Sequence, residues 1–359
     1  MLLLAVMLAA RLDAAVETGG QVRDADAARM FEVTPSLSAL FAEPGAEATA
    51  RYSPRFWMGD AQGIRHDALL AAKWQQTPRL AWTASEHFRY GRSELIWDPG
   101  TAKPFDFLET LLPVVPDELN TDAEVGFAWQ ATRNVSMYGA VGYLAYGGLS
   151  DASQQILPLQ QGPQTYFGID QELTRNDRLS TSFYASHTLV SGAKRNSLLE
   201  LTEGWRRQLA PSTFAKISAG ASASQRDPQD STWGFFPVAS ASIDHDLLER
   251  PQRLELRALA ALGPHQSRLT GDLVERAELG ASARWVLGEN FSFRGRAAGA
   301  QELGAARLFL GALDASYRLK PDIFFTAGAE ALWQDVPGQT AGAHWAAFTS
   351  FTVGVRDLL

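Results

Sequence analysis

Hydrophobic and polar residues alternate one by one along much of this chain, most plainly over residues 274–301. Alternate positions from Ala277 to Leu287 are apolar, and the positions between them, from Arg276 to Arg284, are charged or small. After a few turn residues the alternation continues to the end of the segment. Because successive side chains of a β-strand point to opposite faces, this segment predicts a hairpin with one apolar and one polar face.

The length of the two arms points to a membrane. Each arm has about ten residues, more than the usual five or six of a strand and enough for a tilted strand to cross a bilayer. The apolar row ends beside the turn in Trp285, where an aromatic residue of a membrane-interface girdle would lie. The hairpin therefore predicts one repeat of a transmembrane β-barrel.

Seventeen such alternating segments follow one another from residue 31 to the C-terminus. Short connections with turn residues tend to alternate with longer ones, which is typical of the periplasmic turns and outer loops of such barrels. This order requires one further strand before residue 31, and we expect it within residues 17–29. We predict an all-β fold, a single closed antiparallel barrel of about 18 strands with both termini periplasmic; 16 strands is the alternative.

Periodicity alone also fits a soluble β-sandwich, in which the apolar row would form the core. Strand length, strand number, the sorting of the connections and the N-terminal sequence favour the membrane barrel.

The N-terminal residues, MLLLAVMLAARLDAA, are similar to a secretory signal peptide, so we expect residues 1–15 to be removed. No basic residue precedes the apolar run, which leaves a start codon placed too late, or a short buried helix, as alternative explanations. Residues 16–30 then form an N-terminal segment with a candidate first strand, and residues 31–359 form the barrel. The predicted location is the outer membrane of a Gram-negative bacterium.

The composition limits the binding and catalytic functions that the chain can have. The 359 residues are 46% hydrophobic and 20% charged, with a net charge of −8, so there is no basic surface for nucleic acid. There is no cysteine, which excludes thiol catalysis and cysteine-based metal sites. Recognised catalytic motifs are absent, and Ser186 and His187 are neighbours on opposite faces of a strand. We therefore predict no enzyme activity, catalytic residue, metal site or cofactor; a Ser/His pair assembled from distant strands stays an alternative.

Charged residues are concentrated on the inward positions of the C-terminal third. Six arginines and four carboxylates there give a locally positive lining, which would favour an anionic solute. The alternative is that these charges only solvate the lumen and pair across strands. Small polar residues predominate over 197–243, which we expect to form the wall opposite. The predicted pore-lining residues are Glu255, Arg257, Arg276, Glu278, Arg284, Arg294, Arg296, Asp314, Arg318 and Glu330.

The longest connection, residues 92–121, is too apolar to lie in open water. We expect it to narrow the pore or cover its mouth through Phe105, Asp106, Phe107 and Glu109; a lid without a gating role is the alternative. Elsewhere, Glu86 and Glu203 fall on apolar rows, and we expect a β-bulge that shifts the register at each of them.

The N-terminal third carries two short motifs, Val33-Thr-Pro-Ser-Leu-Ser and Tyr52-Ser-Pro-Arg55. It resembles, closely over residues 31–92, the outer-membrane β-barrel proteins of bacterial exopolysaccharide export clusters of the myxobacterial type. The resemblance implies a porin for a secreted polysaccharide that works with a periplasmic polysaccharide-export protein. It supplies no catalytic residues.

The predicted function is therefore an outer-membrane channel, with membrane lipid and a polysaccharide or other hydrophilic solute as its partners. A barrel of 16 to 18 strands leaves an aqueous channel, whereas side chains fill one of eight. The alternatives are a general diffusion porin, and a barrel with a lipid-hydrolase or a structural or adhesive role.

Overall fold

The computed structural model describes residues 10–23, 29–60, 62–92, 117–192, 194–226, 232–249, 252–267, 270–304, 306–336 and 341–355. The short helix α1 spans Asp151–Ile156. In these ranges no α-helix has the length and hydropathy needed to span a membrane.

Nineteen β-strands make up almost all of the described chain. They are β1 (Ala10–Arg23), β2 (Arg29–Glu43), β3 (Ala46–Tyr52), β4 (Arg55–Gly59), β5 (Gly63–Thr77), β6 (Leu80–Arg92), β7 (Asp117–Gln130), β8 (Val135–Gly148), β9 (Gln160–Glu172), β10 (Asp177–Val190), β11 (Lys194–Ala210), β12 (Thr213–Arg226), β13 (Trp233–Glu249), β14 (Gln252–Gln266), β15 (Leu273–Leu287), β16 (Phe291–Glu302), β17 (Arg307–Lys320), β18 (Ile323–Asp335) and β19 (Gly342–Val355).

Each strand pairs antiparallel with its neighbours in sequence, and the sheet closes because β1 pairs with both β2 and β19. Strands β3 and β4 both pair with β2 and β5, so they are two halves of one barrel strand. The 19 segments thus form 18 barrel strands. The predicted closed, antiparallel, 18-stranded barrel is confirmed.

The break between β3 and β4 falls at Ser53 and Pro54. Proline has no backbone N–H and cannot donate to a ladder, so pairing lapses there. The Ser53 N–H donates to the carbonyl of Asp67 at 2.8 Å, which keeps the two halves attached to β5.

The first strand begins earlier than the 17–29 stretch in which we expected it. Alternation in β1 is weak because Thr18 and Gly20 occupy the row that carries Val16 and Val22. Its first residues, from Ala10, belong to the predicted signal peptide, whose remaining residues lie outside the described ranges. Removal of residues 1–15 stays a prediction.

The two faces of the strands are inverted relative to a soluble protein. The most exposed apolar side chains include Phe235 at 77% and Leu279 at 66%, whereas Ser222 and Ser224 are buried at 1% and 2%. We call the alternate positions that carry the large exposed apolar side chains the outward row of each strand, and the other positions the inward row. Such a distribution is stable only if lipid covers the outward row.

The expectation of a β-bulge at Glu86 and at Glu203 is wrong. Both residues lie on the outward row within unbroken register, Glu86 between Leu70 and Ala123. A one-residue shift would turn every apolar side chain of the strand into the lumen, which outweighs one misplaced carboxylate. The hydroxyl of Thr181 donates to Glu203 Oε1 at 2.8 Å and satisfies part of its hydrogen-bonding capacity.

We predict that the mature protein begins near Val16. Such processing would keep the larger part of both ladders of β1, because residues 16–22 pair with β2 and residues 16–23 pair with β19. Mass spectrometry of the N-terminal peptide of the protein purified from outer membranes measures the boundary. Recovery of peptides that contain Arg11 and Asp13 from mature protein would contradict it.

Candidate channel lining

All ten predicted pore-lining residues lie on inward rows. They alternate with exposed apolar residues of the outward row, such as Leu256, Leu279, Phe293, Leu313 and Phe325. Strands β14 to β18 therefore direct arginine and carboxylate side chains to one part of the lumen.

Ion pairs connect several of these side chains, most of them across strands, and we call β14–β17 the arginine wall. Half-exposed groups such as Arg284, at 46%, and Arg257, at 49%, show that solvent reaches the inward row. Ion pairs this exposed stabilise a fold by only about 0–1 kcal/mol, so the arginines can exchange their partners for a solute anion. The pairs are Arg253–Glu255 at 2.9 Å, Arg284–Glu255 at 3.8 Å, Arg257–Asp244 at 3.6 Å and Arg294–Asp314 at 4.0 Å.

Arg276 differs from the other arginines because it is buried. Its guanidinium lies 3.1 Å from Glu278 and 3.5 Å from Glu302, and Nη1 lies 3.1 Å from His265 Nε2. Arg276 and Glu302 are 6% and 5% exposed. A buried charge needs such partners, and this cluster therefore stabilises the wall instead of offering a charge to a solute.

The wall opposite the arginines is not the 197–243 stretch. Strands β11–β13, which contain that stretch, adjoin the arginine wall because β13 pairs with β14. Around the closed barrel, β7 and β16 are nine of 18 strands apart in either direction. The strands directly opposite β14–β17 are therefore β5–β8, and β9 lies one strand beyond them.

Part of the wall across the lumen is acidic, and we call the inward rows of β7–β9 the acidic wall; the inward rows of β5 and β6 carry the basic Arg65, Lys73 and Arg89. Strands β7, β8 and β9 contain no lysine or arginine, and the inward rows of β7 and β9 carry Asp122, Glu124 and Asp170. Inward tyrosines lie among these carboxylates. The Tyr166 hydroxyl donates to Glu124 Oε1 at 3.0 Å, and Gln164 Nε2 donates to Asp122 Oδ1 at 2.9 Å. The acidic wall thus lies across the lumen from β16 and β17 of the arginine wall.

The acidic wall was not predicted from the sequence. Tyrosines occupy both rows of β8, for example Tyr138 inward and Tyr143 outward, which obscures the alternation. The absence of basic residues over 134–174 was the available signal. This signal can be interpreted only from the closed barrel, because closure places these strands across the lumen from arginines.

A loop crosses part of the mouth at the end with the longer connections. Gln160 Nε2 donates to the carbonyl of Ser267 at 3.1 Å, and Asn196 Nδ2 donates to the carbonyl of Gly271 at 2.6 Å. Lys194 Nζ lies 3.0 Å from Asp272 Oδ1. The connection between β14 and β15 is therefore held against β9 and β11. The predicted constriction residues Phe105, Asp106, Phe107 and Glu109 lie outside the described residues.

One Ser/His pair meets on the outward face, where His187 Nδ1 lies 2.9 Å from Ser197 Oγ. Ser186, on the inward row, takes no part in it. Two other outward histidines make similar contacts, His66 with Tyr52 at 2.7 Å and His245 with Thr213 at 2.8 Å. Cross-strand hydroxyls thus satisfy outward histidines in this barrel, and the contact with Ser197 carries no special sign of a nucleophile and its base. A catalytic base also needs a third group to orient it, and the described residues place none on His187.

Three solved structures share the fold. The outer-membrane protein OpdK of Pseudomonas aeruginosa has a TM-score of 0.50 and 9% identity, with 97% of this chain and 99% of that chain covered. OccAB3 of Acinetobacter baumannii has a TM-score of 0.51 and 10% identity, with 97% and 99% covered. OccK2 of Pseudomonas aeruginosa, in complex with glucuronate, has a TM-score of 0.51 and 9% identity, with 96% of this chain and 98% of that chain covered. These likenesses concern the fold, and they support the predicted location in a bacterial outer membrane.

A profile described as the EpsX exopolysaccharide export family matches residues 119–359. No curated protein matches the chain. The matched residues follow the 31–92 stretch whose motifs carried the resemblance, so a different part of the chain confirms the predicted family.

We predict that Asn196→Ala loosens the loop over the mouth. The substitution removes the shorter of two hydrogen bonds to the Gly271 carbonyl, which also accepts from Gln266 Nε2 at 3.3 Å, and so costs about 0.5–1.5 kcal/mol and raises the opening equilibrium of the loop roughly twofold to tenfold. Lys194→Ala, which removes an exposed ion pair, should change it about fivefold at most. Hydrogen exchange at the Gly271 and Asp272 amides measures both. Equal effects of the two variants would contradict a buried tether.

Proposed function

This chain belongs to the EpsX exopolysaccharide export family, and we propose that it is the outer-membrane channel through which a secreted polysaccharide leaves the cell. The observation that carries the proposal is the solvent-exposed charge on the inner face of a closed 18-stranded barrel. A barrel with a structural or adhesive role would be expected to fill its lumen with side chains, as small barrels do.

The charges of the lumen favour an anionic polysaccharide. Guanidinium groups bind carboxylates in a planar, two-pronged geometry, and the arginine wall offers several of them on neighbouring strands. The acidic wall opposite repels the same groups. A uronate-containing chain would therefore be drawn to one side of the lumen, where field lines concentrate between walls of low dielectric constant.

A periplasmic polysaccharide-export protein would deliver the chain. The connections at one end of the barrel are tight, such as those between β11 and β12 and between β17 and β18. Short connections of this kind face the periplasm in outer-membrane barrels and leave the entrance unobstructed. We propose this end as the docking side, with membrane lipid around the barrel and no role for nucleic acid.

A general diffusion porin is the second candidate, since the same polarised lumen would also pass small hydrophilic solutes. We favour a channel over a lipid hydrolase because the described outward face lacks an oriented base for Ser197. The two channel functions differ in what their loss does to the cell.

Deletion of this chain should abolish the surface polysaccharide and leave polymer or its precursors in the periplasm, because under this proposal the chain forms the path of the polymer across the outer membrane. Immunoblotting of surface and periplasmic fractions for the polymer measures the effect, and expression of the wild-type chain in trans is the control. Unchanged surface polymer, together with reduced uptake of small solutes, would favour the diffusion porin.

We predict that Arg294→Glu with Arg296→Glu shifts the ion selectivity of the channel toward cations. The change converts two inward cations of β16 to anions beside Asp314, and added salt should weaken the shift as screening grows. Reversal potentials in planar bilayers under a salt gradient measure it.

The matched control is Arg133→Glu with Arg175→Glu, which changes the net charge equally at exposed turns outside the lumen. Its selectivity should equal that of the wild type at moderate salt. Unchanged selectivity of the Arg294/Arg296 variant at low salt would show that these side chains do not line the pore.

A further inference from the structure

We infer that three inward tyrosines, Tyr138, Tyr166 and Tyr184, form a binding surface for the ring faces of a saccharide on the inner face of β8, β9 and β10. This inference rests on the proposed function and specifies a binding site within the same lumen. We call the three residues the tyrosine track.

The distribution of tyrosine over the two faces is the first observation. The chain has eight tyrosines, and the four on inward rows all lie on the adjacent strands β8, β9 and β10. The outward ones lie where interfacial aromatics of a membrane barrel are expected. The inward tyrosines have no such role, because lipid does not reach them. They are Tyr138, Tyr146, Tyr166 and Tyr184, and the outward ones are Tyr52, Tyr90, Tyr143 and Tyr317.

The three rings form a continuous surface. Tyr166 and Tyr184 are direct cross-strand partners, and the Tyr138 and Tyr166 ring centroids are 6.3 Å apart with a 54° angle between the planes. Tyr166 is 36% exposed to the lumen, and the other two rings are half-buried. Covering the exposed part of adjacent aromatic rings with an apolar face of a ligand is favourable, because it removes apolar surface from water.

Gly168 holds the ring of Tyr138 against the wall. Gly168 is the cross-strand partner of Tyr138 on β9, and a Cβ placed on it would overlap the Tyr138 ring. The ring therefore lies over the glycine and presents its other face to the lumen. A larger residue at this position would lift the ring into the channel.

Polar groups of the same wall fix the other rings. The Tyr166 hydroxyl donates to Glu124, and the Tyr184 hydroxyl donates to Gln164 Oε1 at 3.4 Å. Because a carboxylate oxygen can accept more than one hydrogen bond, Asp122 and Glu124 can also accept from a bound hydroxyl. Aromatic faces beside hydrogen-bond acceptors suit a sugar, whose ring has apolar C–H faces and a rim of hydroxyl donors.

The two walls together define the ligand. Strands β7–β9 carry no lysine or arginine, and the inward Arg178 of β10 is paired with Asp170 and Glu172, whereas the arginine wall offers several guanidinium groups across the lumen. Tyr138 is the fourth residue of β8 and Arg294 the fourth of β16, each counted from the end with the short turns. A polysaccharide at this level would direct its carboxylates to the arginines and its ring faces to the tyrosine track.

The test is occlusion of the ion current of the purified full chain in planar bilayers by maltohexaose and by a hexameric oligogalacturonate. Tyr138→Ala with Tyr166→Ala should weaken the apparent binding of both by roughly tenfold, because stacked rings contribute to binding beyond the area they bury. Tyr138→Phe with Tyr166→Phe keeps the rings and should stay within about threefold of the wild type. Tyr143→Ala, on the outward row of the same strand, should bind as the wild type does.

Gly168→Ala gives an independent variant that leaves every tyrosine in place. Its Cβ should displace the Tyr138 ring and weaken occlusion by both saccharides, while the open-channel conductance shows that the barrel is intact. Arg294→Glu with Arg296→Glu should weaken only the oligogalacturonate. This pattern separates the track from the arginine wall.

Wild-type current that neither saccharide occludes would overturn the tyrosine track, as would alanine variants that are occluded like the wild type. If the phenylalanine variants lose as much saccharide binding as the alanine variants, ring stacking is not the basis of binding to the tyrosine track. The export role fails separately, if deletion leaves the surface polymer unchanged while the purified channel is still occluded.

Discussion

The structure depends on one constraint, that every backbone N–H and C=O within the hydrocarbon layer must have a hydrogen-bond partner in the protein. A sheet meets this condition only when its edges join, and here the ladder between β1 and β19 joins them. In the closed barrel the outward row of side chains contacts lipid and the inward row faces the lumen. Because the apolar side chains are on the outward row, the inward row can carry charges and tyrosines that would be costly in a packed core.

Closure also determines which residues face each other. The arginines of β14–β17 and the carboxylates of β7–β9 are far apart in sequence. Local ion pairs neutralise part of each group, such as Arg284 with Glu255 and Arg178 with Asp170. The inward arginines of β14–β17 still outnumber the carboxylates of the same rows, so a field acts across the lumen on any charged solute.

The alternation of residues was sufficient to predict the barrel, its strand number and the inward position of residues such as Arg294 and Glu330, because period two leaves each residue only two faces. It was insufficient where a residue's role depends on distant strands. Arg276 is buried by Glu302 and His265, contacts that no spacing in β15 reveals. Glu86 lies on the outward row because the register is determined by the whole strand. The acidic wall could be recognised only from the order of the strands around the closed barrel.

The glycine beneath Tyr138 has a consequence for the movement of a polymer. A ring that lies over the wall resists rotation of the guest about its long axis, since turning would require the sugar to leave the aromatic face while its acid groups leave the guanidinium groups opposite. If both proposals hold, the polymer keeps a fixed orientation about its long axis and moves through the channel one repeat unit at a time. Polymers whose two edges differ in charge would pass smoothly, and those with acid groups on both edges would meet the repulsive side at every step.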